Sequence, residues 1–246
     1  MTTIDPGITA RQARWAGFLY LGTILCGLFA ELVARGAIRS AGAGAFTEQL
    51  GDVETLYRTG ELADLAMLGC YLAVTVLLHR LFAPRFPILS PMAAAFSLTG
   101  IAILGVAGMW HLLPVVMLSS GDAAGAALYG PVALRLHGIT YGISLIFFGG
   151  YCLLIGGMCW QSRFLPRATG ALMMLGGIAH LVSRSLWIVA PSAFASLPGM
   201  MLMLPLLGEL ALALWLLAMG VPPSPLQESK RVPATPAAAA STATRA

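Results

Sequence analysis

Six long, mostly apolar runs divide this chain, and short polar segments separate them. The hydrocarbon core of a bilayer is ~30 Å thick, and about 20 helical residues cross it. No run alternates apolar with polar residues, and backbone groups in lipid must be hydrogen-bonded within their own segment, so the runs predict helices rather than β-strands. The expected spans are residues 15–36, 61–82, 90–113, 132–160, 167–190 and 196–220.

The composition supports a membrane protein and excludes a soluble one. Of the 246 residues, 58% are hydrophobic and only 10% are charged, with a mean hydropathy of +0.84, whereas soluble domains carry about 25% charged residues. The net charge of +4 is spread along the chain, so no basic cluster could follow a phosphate backbone and no nucleic-acid partner is expected. The predicted fold class is therefore all-α, a polytopic helical bundle in a lipid bilayer.

The distribution of basic residues predicts an orientation and a domain organisation. If both termini are cytoplasmic, nine of the 14 basic residues fall on the cytoplasmic side and five on the outer side, as the positive-inside rule favours. We therefore expect a short cytoplasmic segment at 1–14 and a six-span membrane domain at 15–220. Residues 221–246 are rich in Pro, Ala, Ser and Thr and are expected to form a disordered cytoplasmic tail.

The first outer loop has a helical pattern of its own. Acidic residues lie between apolar residues that recur roughly every three to four positions. The apolar series is Phe46, Leu50, Val53, Leu56 and Tyr57. This spacing predicts an amphipathic helix on the outer surface. An ordinary ordered loop is the alternative.

Three ionisable residues fall deep within the last two predicted spans. Glu209 lies 13 residues past Ser196, which at ~1.5 Å per residue places it near the bilayer midplane. His180 lies 13 residues past Arg167 at a similar depth, and Arg184 follows one helical turn later on the same face. Because an ionisable group in hydrocarbon requires a partner, we expect these three residues to form one network, either functional or purely structural.

The other spans place polar residues toward the same side of the membrane, whereas the inner half is almost purely apolar. This asymmetry predicts a polar cavity that opens outward. Charged residues near span ends can also reach headgroups and water without any function, and His137 and Tyr141 could instead form an interhelical hydrogen-bonded pair. The candidate ligand-binding residues are Glu31, Asp64, His111, His137, Tyr141, His180, Arg184 and Glu209.

The motifs give no indication of a metal or a cofactor. The outer-half histidines come from three different spans without the short spacing of a ligand pair, and no Cys-x-x-Cys pair is present. Phosphate-binding loops and nucleophile motifs are also missing from the sequence. The sequence therefore leaves open whether the protein is an enzyme.

Three functions remain as hypotheses. The leading one is a membrane protein whose outer pocket binds a small molecule or lipid headgroup, with Glu209, Asp64 or His137 as weak candidates for acid/base catalysis. The alternatives are a small-solute or ion transporter, and a non-catalytic partner subunit of a membrane complex. A homo-oligomer is compatible with each hypothesis, and a transporter with no clear inverted repeat would need one.

Five ordered motifs together resemble a bacterial family of small membrane proteins, the domain of unknown function 4386. The resemblance covers nearly the whole chain apart from the tail, and it implies a six-span bundle in the bacterial cytoplasmic membrane. The resemblance assigns no catalytic role to any residue of this chain. The motifs are RWAGFLYL (14–21), LYRTGELADL (56–65), HGITYGISLIFFG (137–149), FLPRATG (164–170) and GELALALWLL (208–217).

Overall fold

A computed structural model describes residues 8–39, 46–162 and 164–221. Within these ranges the chain forms helices and no strand. Half of the predicted N-terminal segment and almost all of the predicted tail lie outside the described residues. The helices are α1 (Ala10–Leu28), which continues into a π-helical segment (Phe29–Ala34), α2 (Gly36–Arg39), α3 (Phe46–Asp52), α4 (Glu54–Phe82), α5 (Leu89–Ser119), α6 (Ala123–Gln161), α7 (Arg167–Val189), α8 (Pro191–Ala195) and α9 (Gly199–Met219).

The predicted helical bundle is confirmed. Five helical stretches are long and apolar enough to cross a membrane, namely Ala10–Ile38, which includes the π segment, and helices α4, α5, α6 and α7. Helix α9 contributes a shorter apolar stretch, Met203–Met219. At ~1.5 Å per residue this stretch is about 26 Å long, close to the lower limit for crossing the hydrocarbon core.

Several helices extend beyond the spans that hydropathy predicts. Helix α4 begins at Glu54 rather than at residue 61, and α6 begins at Ala123 rather than at residue 132. Helix α5 continues past Pro114 to Ser119. Hydropathy marks where a segment stops being apolar, whereas a helix ends only where its backbone hydrogen bonds end. A single proline removes one of these bonds, so Pro114 does not end α5 and Pro131 does not end α6.

The predicted amphipathic helix is present in a shorter form. Helix α3 buries Phe46 and Leu50 and exposes Glu48. The Phe46 ring lies directly over Gly130 of α6, where any side chain would clash with it. The second half of the predicted stretch belongs instead to α4, which contains Tyr57. Helix α3 therefore packs on the end of the bundle through its apolar face.

The six long helices form a closed ring in chain order. Helix α1 packs against α4, α4 against α5, α5 against α6, α6 against α7, α7 against α9, and α9 returns to α1. Successive long helices are antiparallel, so Ala10 and Gly220 meet at one end. We call this end the terminal half of the bundle and the opposite end the distal half. The distal half corresponds to the half that the sequence places toward the outside.

Glycine lets the helix backbones touch in the terminal half. A Cβ atom on Gly17 of α1 would lie 2.6 Å from the carbonyl oxygen of Ala213 in α9. A Cβ atom on Gly156 of α6 would lie 2.7 Å from the carbonyl oxygen of Gly170 in α7. Such close approaches increase van der Waals contact between helices in lipid, where apolar burial alone gives no driving force.

Candidate functional site

The polar side chains of the distal half fall into two groups. One is a buried group around Arg35, formed by the π segment, α4, α5 and α6; we call it the Arg35 cluster. The other lines a cavity of about 430 Å³ whose wall comes from the six long helices; we call it the distal cavity. Glu31 belongs to both groups.

Arg35 links two carboxylates at the end of the first span. Its Nε donates to Glu31 Oε2 at 2.8 Å, one helical turn earlier. Its Nη1 donates to Asp64 Oδ2 at 2.5 Å, and its Nη2 donates to Asp64 Oδ1 at 3.4 Å. Only 2% of the Arg35 side chain is exposed. Its charge is therefore balanced by acidic groups inside the protein rather than by headgroups or water.

The local backbone explains how Arg35 enters the bundle. The Arg35 N–H donates to the Ala30 carbonyl at 3.0 Å, which closes a π-helical turn. A π turn adds one residue to the helix and so rotates the residues that follow it. Gly60 of α4 lies against Ala34, and a Cβ atom at Gly60 would be 2.5 Å from that of Ala34. Glycine at this position thus lets the π segment approach Asp64.

Glu61 and two histidines complete the Arg35 cluster. Glu61 is buried, its carboxylate lies over Gly108 of α5, and its Oε2 has no hydrogen-bond partner among the described residues. The His111 ring stacks on Tyr57 at a centroid distance of 3.8 Å, and its Nε2 donates to the Tyr57 carbonyl at 3.0 Å. His137 Nδ1 donates to the backbone carbonyl of residue 107 at 3.0 Å. Both histidines therefore bind backbone oxygen and are held firmly between helices.

The second ring nitrogen of each histidine forms no hydrogen bond with the described part of the protein. His111 Nδ1 and His137 Nε2 are buried and have no hydrogen-bond partner within the described chain. The two ring centroids are 5.7 Å apart, and the His137 ring is 6.1 Å from that of Tyr141. The predicted pairing of His137 with Tyr141 is thus a ring contact, while the hydrogen bond of His137 goes to α5. No three His, Cys, Asp or Glu residues in the described ranges are placed to hold a metal ion.

The distal cavity has a mostly apolar wall with a few polar groups. Apolar side chains from α1 with its π segment and from α4, α5, α6 and α9 line most of it, whereas α7 contributes only His180 and Arg184. Five of the predicted ligand-binding residues contribute to the wall, whereas Asp64, His111 and His137 belong to the Arg35 cluster behind it. The polar wall residues are Thr23, Glu31, Tyr71, Tyr141, His180, Arg184 and Glu209.

Glu209 is the carboxylate at the deep end of the distal cavity. Its Oε1 accepts a hydrogen bond from the Tyr71 hydroxyl at 3.0 Å and lies 3.8 Å from Cys152 Sγ. Within the described ranges, neither His180 nor Arg184 is hydrogen-bonded or ion-paired to Glu209. The three residues that the sequence predicts as one network therefore share one cavity without bonding to each other.

Arg184 has a different environment from Arg35. Its guanidinium lies over the Phe194 ring of α8 at 5.8 Å from the centroid, a weak cation–π contact. Its Nε is buried without a hydrogen-bond partner, and no carboxylate of the described ranges lies within ion-pair distance of it. Its Cδ lies with the Trp187 ring against Gly142 of α6. The cavity therefore has one cation on its wall with spare hydrogen-bonding capacity.

The sequence alone does not single out Arg35 or Tyr71. Arg35 follows Glu31 by four residues, a spacing that allows an ion pair on one helix face, but its position at a span end fits a lipid-facing residue equally well. Tyr71 follows Asp64 by seven residues, on nearly the same face of α4. That spacing is the one signal that could have drawn attention to it.

Comparison with known proteins identifies the family of the chain. No curated protein and no solved structure matches it. A family model described as a domain of unknown function (DUF4386) matches residues 15–220. This range contains all six long helices from residue 15 of α1 to the end of α9, together with both polar groups of the distal half. The chain therefore belongs to the DUF4386 family of multi-pass membrane proteins.

Proposed function

We propose that the protein binds a small molecule or lipid headgroup in the distal cavity. The observation that carries the proposal is the shared wall: Glu209, His180 and Arg184, from the last two long helices, face the same 430 Å³ space as Glu31. Ligand pockets combine an apolar lining with a few convergent polar groups, and volumes of about 300–1,000 Å³ are usual. These polar groups lie between the distal end and the middle of the bundle, with Glu209 at the midpoint of α9, which favours binding from one side over transport across the bundle.

Glu209 is the residue we expect to matter most for any chemistry. Its carboxylate is held by Tyr71 through one oxygen, which leaves the other oxygen available to a ligand. A carboxyl group in an apolar wall can act as a general acid or base if the substrate reaches it. Asp64 and His137 are weaker candidates because both are buried and bonded within the Arg35 cluster.

The test is to replace Glu209 with glutamine and measure ligand retention. Purified wild-type protein is incubated with a bacterial membrane lipid extract, washed in a neutral detergent and analysed by native mass spectrometry. We expect the wild type to retain a bound molecule and Glu209→Gln to lose it while its thermal unfolding midpoint stays close to that of the wild type. Glu48→Gln is the matched control because Glu48 is exposed on α3, away from the cavity.

Two outcomes would contradict the proposal. If Glu209→Gln retains the same molecule with the same occupancy, Glu209 does not contact it. If Glu209→Gln fails to fold, Glu209→Asp is measured instead, and a folded Glu209→Asp variant that retains the molecule with wild-type occupancy would show that Glu209 has only a structural role.

We also propose that the membrane is the bacterial cytoplasmic membrane and that the terminal half faces the cytoplasm. The excess of basic residues on that side supports this orientation. A green fluorescent protein fused at the C-terminus should then fluoresce, and an alkaline phosphatase fusion at the same point should be inactive. The reverse pattern would place the distal cavity on the cytoplasmic side.

A further inference from the structure

The first and last spans touch at one end and separate toward the other. In the terminal half, a Cβ atom on Gly17 of α1 would lie 2.9 Å from the Leu217 Cα of α9. In the distal half, Leu28 and Leu32 on one side and Met203 on the other line the distal cavity. The π segment packs against α4. The two spans therefore form a wedge-shaped gap that widens toward the distal end.

The side chains at this gap face the outside of the bundle as well as the cavity. Leu32 is 66% exposed, Met203 is 52% exposed and Leu28 is 37% exposed. In a membrane, the surface between two neighbouring spans faces lipid, not water. The cavity thus communicates with the surroundings through apolar side chains at a place where acyl chains lie.

We propose that the distal cavity takes an anionic amphiphile from the bilayer, with its apolar tail in the gap between α1 and α9 and its headgroup against Arg184. This inference rests on the proposed function and names the class of ligand and its route. The class is a chain-bearing carboxylate or phosphate.

The charges of the wall favour an anionic headgroup. Arg184 has a buried Nε without a partner, and no carboxylate in the described part of the chain lies within ion-pair distance of it. The Glu31 carboxylate is already bonded to Arg35. Glu209 lies six residues beyond Met203 on α9, about 9 Å deeper at ~1.5 Å per residue. A guanidinium binds carboxylate and phosphate through paired hydrogen bonds, so an anion beside Arg184 supplies the missing partner.

The apolar lining favours a tail over a fully polar ligand. Between the levels of Arg184 and Glu209, much of the wall consists of hydrocarbon side chains, including Leu28, Leu145, Phe148 and Leu206. A small hydrated anion would lose its water there without compensation. An acyl chain in the bilayer has no hydration shell, so it can enter this lining without losing water.

Equilibrium binding of radiolabelled probes to the full chain in a neutral maltoside detergent tests both parts of the proposal. The probes are a long-chain fatty acid, a lysophosphatidate and, as the uncharged comparison, a monoacylglycerol of the same chain length. We expect saturable binding of at least one anionic probe and at least about ten-fold weaker binding of the monoacylglycerol, since a charge-assisted bond to Arg184 is lost. Unlabelled inorganic phosphate should compete poorly, which separates a lipid headgroup from the free anion.

Two pairs of variants separate the headgroup from the route. Arg184→Gln should weaken anionic binding by about ten-fold or more, while Arg184→Lys restores part of it. Arg58→Gln is the control because Arg58 is exposed on α4. Leu28→Trp combined with Met203→Trp should fill the gap and slow association, whereas Leu25→Trp with Leu207→Trp should not, since these two leucines are exposed but do not line the cavity.

The outcomes distinguish this inference from the proposed function. Equal binding of the monoacylglycerol, or no difference between Arg184→Gln and Arg58→Gln, overturns the anionic headgroup. Equal association rates for the two tryptophan pairs, or effective competition by inorganic phosphate, overturns entry from the bilayer. If no probe binds while a molecule from the lipid extract is still retained through Glu209, the inference fails and the proposed function stands; if nothing is retained, both fail.

Discussion

The two halves of the bundle are held together in opposite ways. In the terminal half, helix backbones touch at glycines such as Gly17 and Gly156, and apolar side chains pack around a few uncharged hydrogen-bonded pairs such as Thr75 with Ser97. In the distal half, a guanidinium joins two carboxylates, two histidines bind backbone carbonyls, and a cavity remains open. The same six helices thus combine a close-packed base with a polar, partly open end.

This difference shows how a membrane bundle can contain a site without losing its fold. Close backbone packing needs only small residues and dispersion contacts, so it is insensitive to charge. A polar cavity needs groups whose partners hold them in place. Because the close-packed region and the polar cavity lie at different ends of the helices, α1 and α9 can diverge at one end while they remain in contact at the other.

The largest expected effect comes from breaking the buried ion pair. Asp64→Asn removes one carboxylate charge from Arg35, which is 2% exposed, and the loss of one partner of a buried pair costs about 3–5 kcal/mol. Thermal and denaturant unfolding of the purified protein in detergent would measure the loss. Replacing both partners, Arg35→Met with Asp64→Leu, should recover part of it. A single variant as stable as the wild type would show that water reaches the Arg35 cluster.

A smaller effect is expected in the terminal half, with opposite signs at adjacent residues. Gly156→Ala places a Cβ atom 2.7 Å from the Gly170 carbonyl oxygen and should cost about 1–3 kcal/mol through overpacking. A Cβ atom on Gly157 would meet nothing within 4 Å, so Gly157→Ala should be neutral or stabilising by up to about 1 kcal/mol. Equal unfolding free energies for the two variants would mean that α6 and α7 are not in backbone contact.

The hydrogen bond at Glu209 is expected to contribute less. Tyr71→Phe removes the donor 3.0 Å from Glu209 Oε1, and a typical hydrogen bond contributes about 0.5–1.5 kcal/mol. Tyr151→Phe is the matched control because the Tyr151 hydroxyl is buried with no hydrogen-bond partner in the described ranges. Unfolding free energies that do not distinguish the two variants would show that Tyr71 does not hold the carboxylate.

The smallest effect is expected from the exposed ion pair at the start of α4. Glu54 and Arg58 bond at 2.7 Å, and their side chains are 38% and 44% exposed. Glu54→Gln should cost no more than about 0.5 kcal/mol, as exposed helix pairs do. A cost comparable to that of Asp64→Asn would show that burial does not distinguish the Arg35–Asp64 ion pair from the exposed Glu54–Arg58 pair.

The helical bundle, the order of the spans and the polar bias of the distal half could be predicted from the sequence. Each depends on hydropathy and on position along the chain, which can be read directly from the residues. The burial of Arg35 could not, because it depends on a π turn that rotates the residues after it. The bond between Tyr71 and Glu209 joins residues 138 positions apart, and only the closed ring of helices brings them together.

The closed ring also sets the order in which the site can form. The distal cavity takes part of its wall from α1 and part from α9, the first and last long helices of the described chain. During synthesis, α1 enters the membrane well before α9. The cavity is therefore completed only when the final span arrives, so a partly made chain has no enclosed site in which to hold a ligand.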